Sequence, residues 1–403
     1  MEITMTQVKI VNICAFLSPV IVLVGGCSGD PNGNSEIALA GSPAHIAFHG
    51  KSFTWRRTLS SSNTRAASTD SNVVVHEDPF INREKEVTYQ ASLSELSDAA
   101  YAEKLRAVLI LNGNEYLADE VPSLAEVSRI RANLESIRGD PSPGPLKTAA
   151  VMPDGFAGET LEIHRSPLYS DNRQLQPHNI YPGSTQAYVQ TGCPPPNDHN
   201  QNCVTECSAT LIGPNTALAA AHCFFDPPTQ AWLDFKLGRT GLDIFDSPAY
   251  SAQFNCFAIA FANAFTTDSS QTSVWDFAVI DFTNCADNPV PASGYMGYWK
   301  NISLGSNSVV WATGYPFLSA NCFHEQLCGM SGTASGSGSY WLSGNVFVSR
   351  GQSGTSLYFE DASHNYYSIG NVVATTTSAS YTRKLDSTVY SFLHSYSDPV
   401  RFP

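Results

Sequence analysis

The stretch Cys207-Ser-Ala-Thr-Leu-Ile-Gly-Pro-Asn-Thr-Ala-Leu-Ala-Ala-Ala-His222-Cys223 constrains this chain more than any other. It reads as a strand, a Gly-Pro-Asn turn, and a second apolar stretch ending on His-Cys. A Cys207–Cys223 bridge would close a short loop, worth roughly 3 kcal/mol on the chain-entropy model. The same closure would hold one histidine ring still. A histidine that trades protons with a nucleophile needs a fixed position. The stretch therefore predicts a carboxylate to orient the ring and a serine or cysteine to attack.

A disulfide needs an oxidising compartment, and the N-terminus offers a route to one. Residues 10–26 form an apolar run interrupted by Asn12, Ser18 and Pro19, short and broken for a membrane span. The run follows Lys9 and closes on Val24-Gly-Gly-Cys27. That ending resembles the bacterial lipobox, in which the cysteine becomes lipid-modified. Residues 1–27 are thus read as a signal peptide with Cys27 as the lipid site; an ordinary cleaved signal peptide is the competing reading. Either way the chain is exported, to the cell envelope or beyond, and meets a membrane only through that anchor. It is expected to be monomeric.

Ten cysteines are present. Cys14 lies inside the signal and Cys27 is the lipid site, which leaves Cys193, Cys203, Cys207, Cys223, Cys256, Cys285, Cys322 and Cys328. An even count in an exported chain implies four bridges, though eight cysteines allow 105 pairings. Proximity suggests Cys322–Cys328 and Cys193–Cys203 beside Cys207–Cys223, leaving Cys256–Cys285. A zinc site is the rival reading, disfavoured because no paired Cys-x-x-Cys spacing occurs. The formal charge of −14 argues against nucleic acid as a partner.

Three textures follow the signal. From Ser28 to about Asp70 the chain is rich in Ser, Gly and Asn and reads as a flexible tether. Residues 82–140 read as helical. Ser92-Leu-Ser-Glu95 and Ser123-Leu-Ala-Glu126 fit capping boxes, and Leu124, Val127, Ile130, Leu134 and Ile137 recur at helical spacing. After the linker Pro141-Ser-Pro-Gly-Pro145, short strands run to the end: 187–190, 209–212, 216–221, 278–282, 308–313, 340–349, 356–359 and 367–374. Residues 386–396 read as a C-terminal helix. The expected domains are residues 28–165, a tether and helical prosegment, and residues 166–403, the catalytic domain.

Two residues complete what His222 requires. Asp276, in Val274-Trp-Asp-Phe-Ala-Val-Ile-Asp-Phe282, has apolar neighbours, where a carboxylate is costly unless paired. Asp281, at the far end of that strand, is a rival acid. Ser353 lies in Gly351-Gln-Ser-Gly354, whose glycines permit a tight turn that exposes the hydroxyl. The Gly351 and Ser353 amides would then point at an oxyanion. The order is His, Asp, Ser, with steps of 54 and 77 positions.

At these residues the chain resembles the chymotrypsin-like serine proteases. Ala-Ala-His-Cys is a highly specific motif, and Trp-Asp-Phe-Ala-Val-Ile and Gly-Gln-Ser-Gly agree with the family pattern. The resemblance is closest to the bacterial V8-type glutamyl endopeptidases, through Asp171-Asn-Arg173, Tyr181-Pro182, Thr313-Gly-Tyr-Pro316 and the C-terminal helix. It covers roughly residues 166–403. It implies an all-β double β-barrel with a C-terminal helix, preceded here by a partly helical pro-region. It also implies a secreted or lipid-anchored serine endopeptidase, a hydrolase made as a zymogen, acting on protein or peptide substrates without metal or cofactor. By resemblance Phe347, Val348, Arg350, Asn371 and Val372 belong to the substrate pocket. The V8-type hydroxyl residue is replaced by Val348, and the strand 369–374 lacks a histidine, so glutamate specificity is not implied. Gln352 stands where animal members carry an aspartate. A catalytically inactive homologue that binds proteins at the cell surface is the alternative.

Overall fold

Turn chemistry shapes the chain from its first described residues. The computed structural model describes residues 43–58, 83–139, 147–148, 171–178, 180–191, 205–224, 233–237, 250–252, 258–268, 272–283, 294–304, 308–316, 322, 326–336, 340–375 and 379–397. The signal segment with Cys27, and Cys193, Cys203, Cys256 and Cys285, lie outside them. Strands β1 (His45–Phe48) and β2 (Lys51–Thr58) form a hairpin across His49 and Gly50, whose φ values are 46° and 72°. Two consecutive left-handed residues match the twist of paired strands. The expected tether over 28–70 is thus corrected in its described part, which is β-structure with Phe53 fully buried.

The helical expectation for residues 82–140 needs a similar correction. Helices α1 (Arg83–Glu95) and α2 (Asp98–Leu105) are followed by strands β3 (Ala107–Leu111) and β4 (Asn114–Ala118), then helix α3 (Leu124–Gly139). Asn112 and Gly113, with φ values of 48° and 70°, turn β3 into β4. Ser92 does not cap a helix; it lies within α1 and donates to the Tyr89 carbonyl. Ser97 caps α2 instead, accepting from the Ala100 amide. Ser123 caps α3 as expected, with the Glu126 amide on its hydroxyl. Val127, Ile130 and Leu134 are buried, whereas Leu124 is exposed.

Short strands β5 (Lys147–Thr148) and β6 (Gln174–Leu175) lead into the main β-region. Strands β7 (Gln186–Thr191), β8 (Thr205–Gly213), β9 (Thr216–Ala219), β10 (Leu233–Leu237), β11 (Tyr250–Ala252), β12 (Ala258–Ala262) and β13 (Ala278–Asp281) follow, with helix α4 (Asn263–Thr267) after β12. They pair antiparallel in the order β12-β13-β9-β8-β7-β10-β11. The N-terminal strands continue this sheet, because β3 pairs with β12 from Ala107 opposite Ala262 to Leu111 opposite Ala258.

The second half supplies β14 (Gly297–Trp299), β15 (Ser308–Gly314), β16 (Cys328–Gly336), β17 (Trp341–Gly344), β18 (Ser356–Glu360), β19 (Tyr366–Thr375) and β20 (Ser380–Lys384). Six of them close a ring, β15-β16-β17-β20-β19-β18, because β18 pairs with both β15 and β19. Closure removes sheet edges that would otherwise invite unwanted pairing. Val310, Met330, Leu342, Val346, Val348, Leu357, Ile369 and Val372 are among the residues that fill it. Helix α5 (Ser387–Tyr396) follows, capped by Asp386. Two successive β-halves with a closed second barrel and a C-terminal helix meet the all-β, chymotrypsin-like expectation.

The second half also holds a tyrosine cluster. Tyr358 and Tyr366 lie 5.8 Å apart by ring centroid, and Tyr181 is 5.6 Å from Tyr366. Burial favours the neutral phenol, raising all three; Tyr366 is pushed up to about 12. An unfolded tyrosine ionises near 10. Above that pH the unfolded chain sheds protons that the native chain retains, so stability is full below about pH 10 and falls between about 10 and 12. Phenolate absorbance should therefore rise together with loss of circular dichroism. A gradual titration of these tyrosines in protein with native ellipticity would contradict this.

Candidate active site

The expected Cys207–Cys223 disulfide is present, with Cα atoms 6.1 Å apart, and so is Cys322–Cys328. The sulfurs of Cys207 and Cys223 and a ring nitrogen of His222 lie within 4.8 Å of one another. With both sulfurs in the disulfide, this triplet offers no thiolate to a metal. The bridge ties β8 to the turn after β9, and His222 leaves that turn half-exposed beside a buried Cys223.

Asp276 is the carboxylate that meets the ring. It is 4 % exposed and accepts two N–H groups of one residue. The His222 amide reaches its Oδ1 at 2.9 Å, and His222 Nδ1 lies 2.6 Å from its Oδ2. A carboxylate at that oxygen makes Nδ1 the protonated ring nitrogen and leaves Nε2 as the basic one. Asp281, the rival acid, has other partners. His49 Nε2 lies 2.9 Å from its Oδ2, and the Thr283 amide donates to its Oδ1.

The backbone around Asp276 is held on both sides. Trp275 is fully buried, and Phe277 lies with its ring 5.4 Å from Phe392 of α5. Asn371 donates its side-chain amide to the Asp276 carbonyl at 3.0 Å. Arg383 on β20 donates to the Val274 carbonyl.

Ser353 belongs to a turn packed onto the β8–β9 pair. Its carbonyl accepts from the Ser208 amide at 2.8 Å, and the Ser208 hydroxyl donates to the Gly351 carbonyl at 2.8 Å. Gly354 has φ +85°, and a Cβ there would come within 2.3 Å of the Ser208 carbonyl oxygen and 2.8 Å of the Ala220 nitrogen. Only glycine lets the turn approach the strand that leads to His222 so closely. Among the described residues, no group accepts a hydrogen bond from the Gly351 or Ser353 amide.

Gln352, which stands where the resemblance puts an aspartate in animal members, is fully buried and anchored by a side chain. Arg173, 1 % exposed, donates through Nη1 to the Gln352 side-chain oxygen and to Ser349 Oγ. Asp171 receives Arg173 Nε and Nη2 at 2.8 and 2.9 Å, balancing its charge. The Asp171-Asn-Arg173 motif thus braces the loop before Ser353, a role that its sequence did not announce. Ser208, hidden beside Cys207, was missed for the same reason: a lone serine in a strand carries no signal.

The pocket candidates divide. Phe347 is half-buried with the Arg173 guanidinium 5.0 Å from its ring centroid, and Arg350 is half-exposed. Val348 and Val372 belong to the buried core of the second barrel, and Asn371 is directed to Asp276.

No family model matches this chain, and no curated protein does. Solved structures are similar over a little more than half of it. One titled Glu endopeptidase in complex with MPD is 18% identical, covering 57% of this chain and 98% of its own, with a TM-score of 0.44. The protease Anisep from Arthrobacter nicotinovorans is 15% identical over 56% of this chain and 99% of its own, at 0.41. A thermostable serine protease, AL20, from an extremophilic microorganism is 15% identical over 52% and 94%, at 0.38.

Proposed function

We propose that this chain is an exported serine endopeptidase whose catalytic residues are His222, Asp276 and Ser353. The observation that carries the reading is the pair of hydrogen bonds that Asp276 accepts from the His222 amide and ring. It leaves Nε2 as the basic ring nitrogen, and Ser353 lies in a turn bonded to β8 through Ser208. Ser353 Oγ bonds to the substrate carbonyl carbon as its proton passes to His222 Nε2. The Gly351 and Ser353 amides hold the resulting oxyanion. The carbon–nitrogen bond then breaks, the proton moves from Nε2 to the leaving amine, and water releases the acyl group by the same path.

The proposal extends to the processing of the chain. Residues 1–27 direct export, with Cys27 as the lipid site. Residues 28–165 are made as part of a precursor that is cut near Glu162 or Arg165, and residues 166–403 carry catalysis. Phe347 and Arg350 face the substrate side chain. No carboxylate stands at the pocket positions to pair with a lysine or arginine.

A peptide-library digest tests the substrate class. The expected result is cleavage that Ser353→Ala abolishes, without preference for Lys or Arg before the cut. Arg350→Ala should weaken cleavage of acidic peptides selectively. A wild-type chain that binds peptides and cuts none would instead indicate the inactive homologue.

A further inference from the structure

The residue before Asp276 is enclosed largely by the N-terminal region. Trp275 Nε1 donates to the Tyr89 hydroxyl of α1 at 2.7 Å. That hydroxyl in turn donates to Asp268, which also receives Lys104 of α2. The ring of Tyr101, on α2, lies 5.7 Å from Trp275 by centroid. Tyr101 is held in place by Arg131 of α3, 5.6 Å above its ring, and by Thr388 of α5 at 3.2 Å from its hydroxyl. Phe48, Phe53, Leu93, Tyr101, Val127 and Ile130 share one core with Trp275, Phe277, Phe392 and Tyr396.

We propose that the N-terminal module, residues 43–139, is a permanent working part of the active site, with Tyr89 and Tyr101 as positioning residues that hold Asp276 through Trp275. Parting it from the first sheet would leave the β12 edge unpaired and expose Trp275. The cut proposed near Glu162 or Arg165 accordingly leaves the module in place. This inference rests on the reading of His222, Asp276 and Ser353 given above.

Tyr89→Phe in the full chain tests it, since the ring is kept and only the hydroxyl goes. The expected result is a fall in kcat of about 3- to 10-fold with little change in KM, the size of one hydrogen bond felt at the transition state. The low-field proton resonance of His222 Nδ1–H, identified by its loss in Asp276→Ala, should shift or broaden in parallel. In a Trp275→Phe background Tyr89→Phe should add nothing. A variant with lower Tm but wild-type kcat and an unmoved resonance would overturn the proposal, because only a structural role would remain. A resonance that responds to Tyr89 in a chain that hydrolyses nothing would uphold the positioning and overturn the peptidase reading, so the two fail separately. Mass analysis of active enzyme from the producing cell adds an independent check. It should contain residues 43–139, either in one chain or as a nicked complex; active enzyme without them would also overturn the proposal.

Discussion

Replacing Ser353 with Ala should lower kcat/KM by about 10⁴-fold or more, the loss typical when one member of a triad is removed. The fall should appear in kcat, because the hydroxyl acts on the transition state and not on the bound substrate. Asp276→Asn should approach the same loss for a reason particular to this site. Asp276 accepts both the His222 amide and the ring Nδ1–H. An asparagine has one acceptor oxygen and one donor nitrogen, so it cannot serve both. Keeping the amide bond turns its NH2 toward the ring and forces the proton onto Nε2, which then cannot take the Ser353 proton. Keeping the ring bond instead sets NH2 against the His222 amide and displaces the turn. Steady-state kinetics of the two variants check both expectations. Near-wild-type kcat in Asp276→Asn would mean that this carboxylate does not set the tautomer.

The largest stability effect should come from Asp386→Ala. Asp386 and Arg383 are both fully buried, joined through Oδ2 and Nη1 at 2.8 Å. The other carboxylate oxygen caps α5, accepting from the Thr388 and Val389 amides. Carbonyls of Val274, Tyr340 and Lys384 also receive Arg383, yet none of them carries a countercharge. Removing the carboxylate strands a buried cation, which costs about 3–5 kcal/mol, and the lost cap adds about 1 kcal/mol. Denaturant melts should show this. Asp386→Asn should retain the cap and lose mainly the charge-pair part. Arg383→Met with Asp386→Asn should recover most of the loss, since a buried pair replaced by apolar packing is often neutral. A fall below about 1 kcal/mol in Asp386→Ala would show that the pair is not the buried anchor described.

The candidate site was legible because each part lies in a short contiguous motif. His222 beside Cys223, Asp276 after Trp275 and Ser353 between glycines announce their geometry locally, and the structure joins the first pair directly. Much of what surrounds them was not legible, since its partners are distant in sequence. Tyr89 meets Trp275 across 186 positions, and Arg173 meets Gln352 across 179. The hairpin of β3 and β4 did carry a signal. An apolar run ending in Asn112-Gly113 is turn chemistry, masked by the helical spacing on either side. Strand β16 gave little sign of itself, being mostly Gly, Ser, Thr and Ala with little alternation. The strand expected over 340–349 is shorter, running from Trp341 to Gly344.

Covalent trapping asks whether Ser353 is the nucleophile that His222 activates. Full-length protein treated with an active-site-directed phosphonate should gain one adduct per chain, mapped by mass spectrometry to the peptide containing Ser353. His222→Ala and Ser353→Ala should both abolish it while the fold persists. Peptide hydrolysis in a chain whose Ser353 takes no label, or an adduct that survives Ser353→Ala, would contradict the account.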